Sequence, residues 1–121
     1  MQYLFLIYSD EAREPKRGTK EFDEYLGAYV ALTDEVKAKG IHEGSAPLQP
    51  VATATTVRVR DGKCLTTDGP FAETKEQLGG FYLLECRDLD EALDYAARIP
   101  TAKHGSIEVR PLLQLERDSA R

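Results

Sequence analysis

The sequence predicts an α+β fold in which one antiparallel sheet carries two helices on a single face. Strand-like and helix-like patterns follow in the order strand, long helix, hairpin, strand, helix, strand, which is typical of an α+β plan. Two of the strand-like runs, residues 2–8 and 80–86, are apolar on both faces. The length of 121 residues, with 41% hydrophobic and 31% charged residues, fits one globular domain. We expect this domain to span residues 1–115, followed by a polar tail over residues 116–121.

The beginning of the chain predicts a buried strand, a long helix and an edge strand. Residues 2–8 alternate, so that three apolar side chains lie on each face. The two faces are Tyr3, Phe5 and Ile7 against Leu4, Leu6 and Tyr8. Residues 20–39 carry an apolar stripe at helical spacing before Gly40, which predicts the long helix. The stripe consists of Phe22, Tyr25, Leu26, Tyr29, Leu32, Thr33 and Val36. Residues 41–50 contain Gly and Pro and predict an irregular edge strand.

A β-hairpin follows this edge strand. Residues 53–60 (TATTVRVR) and 63–67 (KCLTT) are strand-like and flank the pair Asp61-Gly62. Asp-Gly between two such runs is a strong hairpin signal, because both residues tolerate the positive φ angles of a tight turn.

The last third of the chain predicts a strand, a helix and a strand. Residues 80–86 (GFYLLEC) form the second run that is apolar on both faces. Asp88 and Glu91 have the spacing of a capping box, and the helix that they begin runs to about Ile99. We expect its inward residues to be Leu89, Ala92, Leu93, Ala96 and Ala97. Residues 106–113 predict the last strand, and its proline indicates an edge position.

Two strand–helix–strand units around an inserted hairpin predict a ferredoxin-like fold. Such a sheet needs one apolar face to meet its helices, whereas residues 2–8 and 80–86 have two. A large uncovered apolar face usually marks an interface. Burying four or five large side chains per subunit, at about 1.5–3 kcal/mol each, favours association. We therefore expect a homodimer in which two sheets pack face to face through their apolar sides.

Composition argues against several classes of function. The formal net charge is −5, which is unfavourable for nucleic acid. No apolar run approaches the roughly 20 residues of a membrane span, and no signal peptide is recognisable. The two cysteines, Cys64 and Cys86, are far apart, and the chain has two histidines. This pattern argues against a zinc site, which needs closely spaced Cys or His ligands. We predict a cytoplasmic protein with reduced cysteines, no metal and no cofactor.

Four side chains are candidates for acid–base work. Asp10 lies beside Glu11 just past the first strand, and paired carboxylates can transfer protons or can simply be solvated charges. His42 and His104 each stand alone, and either could be a base or an ordinary packed histidine. Asp68 begins the most distinctive stretch of the chain. Spacing reveals no nucleophile–base pair, so the sequence assigns no reaction class.

The most distinctive stretch is residues 68–85, DGPFAETKEQLGGFYLLE, which begins as a turn and ends as a strand. Gly69 permits positive φ and Pro70 fixes φ, while the Asp68 side chain can bond nearby backbone N–H groups. Many charges beside two glycines and a buried strand could hold a ligand or a partner, or could be a well-capped connection with exposed ion pairs. The residues expected around a ligand are Tyr8, Tyr29, Asp68, Gly69, Pro70, Phe71, Glu73 and Lys75.

This stretch resembles the YCII-related family, in particular its DGPF-domain branch. The flanking stretches resemble the same family: YLFLIYSDEA and LQPVATATTVRVRDGK before it, and DLDEALDYAARIP and HGSIEVRP after it. The resemblance implies a ferredoxin-like fold and a dimeric α+β barrel. Some relatives are small enzymes, including a dehydrochlorinase with a His–Asp dyad. The position of that histidine corresponds to about Tyr29 in a helix without histidine, so the resemblance implies no dyad here.

Two hypotheses of function follow, and a purely structural role for the stretch stands beside them. The first is a homodimer that binds a small molecule in a cleft beside the Asp68-Gly69-Pro70-Phe71 loop and acts as a small enzyme. The second is a regulatory or interaction module. It rests on the resemblance, because many members of the branch are encoded near extracytoplasmic-function sigma factors.

Overall fold

A computed structural model describes residues 1–115, so the tail predicted for residues 116–121 lies outside the described residues. The elements, in chain order, are β1 (Gln2–Ser9), α1 (Lys20–Ala38), β2 (His42–Pro47), β3 (Thr55–Arg60), β4 (Lys63–Asp68), β5 (Gln77–Glu85), α2 (Leu89–Arg98) and β6 (Ser106–Pro111). Strands β2, β5, β1 and β6 form one antiparallel sheet in that order. The predicted ferredoxin-like fold with an inserted hairpin is confirmed.

The core lies between one face of this sheet and the two helices. Phe5 of β1 and Val36 of α1 have no exposed surface. Tyr82 on β5 lies opposite Phe5 and is also buried, so the central pair of strands supplies the floor of the core. The other buried apolar residues are Tyr3, Ile7, Leu32, Leu84, Cys86, Ala92, Tyr95, Ala96 and Ile99.

The opposite face of the sheet is apolar too, as the alternation predicted. Leu4 pairs with Leu83, and Leu6 pairs with Phe81, across β1 and β5. These side chains are half-buried by their neighbours within the sheet. Within residues 1–115, both helices pack against the other face of the sheet, which is the face that forms the core. This half-buried side, together with Tyr8, is called the open face below.

Helix α1 begins where its sequence signals place it, but only its second half is buried. The Thr19 hydroxyl accepts a hydrogen bond from Phe22 N at 3.1 Å and caps the helix. Leu32 and Val36 are buried, whereas Leu26 is 50% exposed. The predicted apolar stripe is therefore fully buried only at Leu32 and Val36, because the first half of α1 stands over a cavity.

Helix α2 packs closely, with a stripe that differs from the expected one. Asp88 Oδ1 accepts from Glu91 N at 2.9 Å, which confirms the predicted cap. The buried residues are Ala92, Tyr95 and Ala96. The inward placement predicted for Leu89, Leu93 and Ala97 is wrong, because these residues are exposed. The helix packs the side that carries Tyr95 against the core, and Leu89 and Leu93 are each 48% exposed.

Strands β3 and β4 form a hairpin that projects from the body of the protein. Its turn has positive φ at Asp61 (51°) and Gly62 (73°), as the sequence predicted. Val57 and Val59 lie on one side of the hairpin and are 58% and 62% exposed. The Thr56 hydroxyl donates to Gly69 O at 2.9 Å and ties the hairpin to the loop that follows it.

Candidate functional site

A cavity of about 700 Å³ lies between the first half of α1 and the sheet. Tyr25 and Tyr29 reach from the helix into its wall, while Leu26 and Val30 lie at its exposed rim. Because α1 meets the sheet through two long aromatic side chains here, the backbone of the helix is held away from the strands. The space that results has the size of a typical ligand pocket, about 300–1,000 Å³.

Three hydroxyl groups meet in one wall of this cavity. Thr101 lies just after α2 and is 1% exposed. Its Oγ1 is 2.5 Å from Tyr29 Oη and is also hydrogen-bonded to Tyr25 Oη. Burial raises the pKa of both tyrosines, so both hydroxyls keep their protons at neutral pH. Tyr25, Tyr29 and Thr101 are called the hydroxyl cluster below.

A carboxylate and an imidazole border the hydroxyl cluster. Glu14, on the segment after β1, accepts a hydrogen bond from the Ser9 hydroxyl. His104 Nε2 lies 3.5 Å from Glu14 Oε1, and the His104 ring is 5.7 Å from the Tyr25 ring between centroids. Glu14 and Ser9 both line the cavity. Glu14 is thus placed in the cavity wall with His104 beside it, where a carboxylate can accept a proton.

A second tyrosine–threonine pair lines the cavity away from Glu14. Thr33 Oγ1 and Tyr82 Oη are 2.6 Å apart. The Tyr82 ring is parallel to the Tyr29 ring within 9°, at 6.4 Å between centroids. The cavity therefore has two sets of hydrogen-bonded hydroxyl groups, the hydroxyl cluster beside the Glu14–His104 pair and the Thr33–Tyr82 pair apart from it.

The segment after β1 is fixed by side chains of the neighbouring strands and loops. Glu11 N donates to Gln77 Oε1 at 2.9 Å, and Val51 N donates to Glu11 Oε2 at 2.9 Å. These bonds hold the segment that carries Glu14 against β5 and against the loop before β3.

The structure separates the four predicted acid–base candidates. Asp10 Oδ1 accepts from Ala12 N at 3.0 Å and caps a short 3-10 turn. His42 Nε2 is 2.7 Å from Ser45 Oγ, next to the cavity wall. Asp68 is exposed at the end of β4. His104 alone of these four joins the cluster at Glu14. A catalytic role for any of them stays a prediction.

The predicted ligand residues divide in the same way. Tyr29 lines the cavity, whereas Tyr8 lies on the open face. The loop residues lie outside the cavity wall: Gly69 has a φ of 100° and bonds Ala54 O at 2.7 Å, and Phe71 is 77% exposed. Pro70, Glu73 and Lys75 belong to this same outlying loop. Their binding of a ligand stays a prediction.

The later part of the same stretch does reach the cavity. Gln77, Gly79 and Gly80 line it. A Cβ atom at Gly80 would lie 2.9 Å from Ala46 O, so glycine is required there for the close approach of β2 to β5. Sequence reasoning missed Ser9, Glu14 and Thr101, because their proximity arises only when residues far apart in the chain meet.

Among residues 1–115, no group of three or more His, Cys, Asp or Glu side chains lies together in a way that could hold a metal ion. Neither of the helices described is both long enough and apolar enough to span a membrane.

Comparison with known proteins gives the same fold and names a family. A protein of Rhizobium meliloti (strain 1021), itself described as uncharacterized, is 41% identical over 114 residues, covering 93% of this chain and 92% of the relative. The structure of 5-chloro-2-hydroxyhydroquinone dehydrochlorinase from Burkholderia phenoliruptrix AC1100, in complex with 2,5-dihydroxybenzoquinone, superimposes with a TM-score of 0.51. It is 16% identical, covers 93% of this chain and 94% of its own, and is of the dimeric α+β barrel class. The family model of the YCII-related domain matches residues 1–116, and the chain belongs to this family.

Proposed function

We propose that the protein binds a small organic molecule in the cavity beneath α1 and acts on it as a small enzyme. The observation that carries this proposal is the meeting of a cavity of about 700 Å³ with the hydroxyl cluster and the Glu14–His104 pair. A mostly apolar pocket with a few convergent polar groups is the usual form of a small-molecule site.

The chemistry open to this site is proton transfer. Glu14 is held by the Ser9 hydroxyl and lies beside His104, so it is positioned as a general base whose partner can exchange the proton with solvent. The dehydrochlorinase shows that the fold can carry an enzyme, although at 16% identity it informs on the fold alone. The reaction of this protein therefore has to be found by experiment.

The test is a thermal-shift screen of the purified protein against a metabolite library, with two matched variants. A ligand at about 100 times its dissociation constant stabilises a protein by about 2.7 kcal/mol, which such a screen detects. Glu14→Gln removes a negative charge in the cavity wall, and Asp68→Asn removes one at the end of β4. We expect a hit to be weakened by Glu14→Gln and kept by Asp68→Asn. The reverse result would move the site to the Asp68-Gly69-Pro70-Phe71 loop, and a screen without hits would contradict ligand binding.

We propose that the protein is a homodimer through its open face. Leu4, Leu6, Phe81 and Leu83 pair across β1 and β5 on that face, which supports an interface of apolar side chains. Leu6→Lys places a charge at its centre and should convert the dimer to a monomer in sedimentation velocity. Leu93→Lys, at an apolar residue of α2 that is 48% exposed, is the control and should leave the dimer intact. A monodisperse wild-type monomer at micromolar concentration would contradict the proposal.

A regulatory role in contact with an extracytoplasmic-function sigma factor is a second proposal. The observation in its favour is the projecting hairpin, on which Val57, Val59 and Leu65 are all exposed. A purified sigma factor of the native host should bind the wild-type protein and should lose affinity for Val59→Lys. Equal binding of both proteins, or none, would count against this role.

We also propose a cytoplasmic location. The support is that Cys64 and Cys86 are both free thiols, which is typical of a reducing compartment. Retention of both thiols in protein isolated from the native host, measured by alkylation and mass spectrometry, is the expected result.

A further inference from the structure

We propose that the cavity beneath α1 takes an organic cation, namely an amine whose ammonium group pairs with Glu14 and whose apolar body lies against the tyrosines of the wall. The inference rests on the proposed function, because it names the class of substrate for the same cavity. The N–H protons of the bound amine are then the ligand protons closest to this carboxylate.

The charges that are sheltered from solvent carry the first step. Of the described residues that line the cavity, Glu11, Glu14 and Asp34 are acidic and Arg17 is basic. Asp34 and Arg17 are exposed, so solvent screens their charges, and the Arg17 guanidinium lies 5.9 Å from the centre of the Phe22 ring. Glu11 and Glu14 are half-buried. Sheltered charges act most strongly on a ligand, and both of these are negative.

Glu14 is the sheltered carboxylate that suits a ligand. Glu11 Oε2 accepts from Val51 N at 2.9 Å and thereby helps to fix the loop before β3. The Glu14 side chain is 26% exposed, and its Oε1 is the oxygen that both Ser9 and His104 contact. A carboxylate accepts about four hydrogen bonds, so Glu14 keeps acceptor capacity for the N–H groups of an ammonium.

Aromatic rings next to this carboxylate favour a cation as well. Burial is the main cause that raises the pKa of Tyr25, and the charge of Glu14 and a hydrogen bond to it contribute further, so the two side chains are neighbours. The Tyr29 ring lies edge-on to the Tyr25 ring at 5.2 Å between centroids, and Tyr82 continues the wall. Tyrosine rings attract cations within about 6 Å of the centroid and also cover the apolar part of a ligand.

The surroundings argue against other classes of ligand. A metal ion needs several converging ligands, and residues 1–115 contain no group of three or more His, Cys, Asp or Glu side chains that could supply them. An anionic ligand would meet repulsion from the two sheltered carboxylates. The rim consists of apolar side chains such as Leu26 and Val30, so the body of the amine should be apolar.

The experiment compares benzylamine, benzyl alcohol and benzoate in titrations of the wild-type protein followed by ligand-observed NMR. The three probes share a phenyl ring and differ in charge. The titrations are made at pH 8, where primary amines are protonated and imidazole groups are ordinarily uncharged. A hydrogen bond between charged groups predicts that benzylamine binds roughly tenfold more tightly than benzyl alcohol, with benzoate weakest. Benzyl alcohol or benzoate binding as tightly as benzylamine would overturn the inference.

Two variants test whether the preference comes from Glu14. Glu14→Gln keeps the size of the side chain but removes its charge, and should bring the dissociation constant of benzylamine close to that of benzyl alcohol. Asp23→Asn removes an exposed charge of α1 outside the cavity wall and should keep the preference. Thermal unfolding checks that each variant is folded. A preference unchanged in Glu14→Gln, or reduced equally in both variants, would overturn the pairing of the amine with Glu14.

The outcomes also separate this inference from the proposed function. If library compounds bind in the cavity but benzylamine does not, the ligand class is wrong and the cavity remains a binding site. If no compound of any class binds the wild-type protein, the proposed function fails together with this inference.

Discussion

The two helices lie on the same face of one sheet, yet they pack on it in different ways. Helix α2 presents Ala92 and Ala96 to the strands and comes close to them. Helix α1 presents Tyr25 and Tyr29 over its first half and stands above a cavity of about 700 Å³. Since the distance between packed elements follows the size of the side chains between them, the same plan yields a tight half and an open half.

The difference indicates a division of work between the two halves. The tight half supplies apolar burial, which stabilises the fold. The open half places hydroxyl and carboxylate groups around a space, which costs stability and is typical of a binding site. Thr101 connects the halves, since it follows α2 in the chain and bonds the two tyrosines of α1.

The largest expected effect comes from shortening one aliphatic side chain in each half. Ile99, the C-cap residue of α2, is 1% exposed, whereas Leu26 on α1 is 50% exposed. Ile99→Ala should lower the free energy of unfolding by about 2–5 kcal/mol, because it leaves a cavity in close-packed surroundings. Leu26→Ala should change it by less than about 1 kcal/mol. Urea unfolding of both variants measures the contrast, and similar losses would show that the two halves are packed alike.

A smaller effect is expected at the border of the open half. A Cβ at Gly80 would lie 2.9 Å from Ala46 O, while a Cβ at Gly79 would meet Ile7 O at 3.9 Å. Gly80→Ala should therefore destabilise the protein by about 1–3 kcal/mol through crowding. Gly79→Ala should be close to neutral, since 3.9 Å is an ordinary contact. If the two substitutions prove equivalent in thermal unfolding, the approach of β2 to β5 does not depend on Gly80.

The fold could be predicted because its signals are local. Asp61-Gly62 specified the hairpin turn, and Asp88 specified the start of α2. The inward side of α2 could not be predicted in the same way. Leu89 and Leu93 look like core residues in the sequence, but Tyr95 is buried in their place. Which side of α2 meets the sheet depends on packing between elements, which no local pattern encodes.

The site could be predicted only in part, because it is assembled from distant residues. His104 and Glu14 are 90 positions apart, and Tyr25 is 76 positions from Thr101. Tyr29 was recognisable as a helical tyrosine near the sheet. Glu14, in a polar loop with a neighbouring proline, carried no signal that distinguished it from an ordinary solvated charge. The sequence signals of the distinctive stretch are strongest in the loop after Asp68, whereas the later glycines of the stretch reach the cavity.

The smallest effect concerns the ionic contact that joins the two helices. Arg98 at the end of α2 donates to Glu35 of α1, with Nη1 to Oε2 at 2.9 Å, and Lys39 Nζ lies 3.1 Å from the same oxygen. Hydrogen bonds from Arg98 and then from Lys39 lower the pKa of Glu35 from its usual 4.5 to about 2. The carboxylate is exposed to solvent, so this contact contributes only modestly.

The pH dependence of unfolding isolates this contribution. Because the pKa of Glu35 is lower in the folded state than in the unfolded state, the stabilisation is present in full above pH 4.5 and is lost as the pH falls toward 2. Glu35→Gln should lower stability at neutral pH and make its decline between these pH values less steep. Glu24→Gln removes another exposed carboxylate of α1, whose distance to Lys20 is 3.9 Å, and serves as the control. If the free energy of unfolding of Glu35→Gln changes with pH in parallel with that of the wild type, apolar packing alone fixes α1 against α2. The open half would then keep its cavity without this ionic contact.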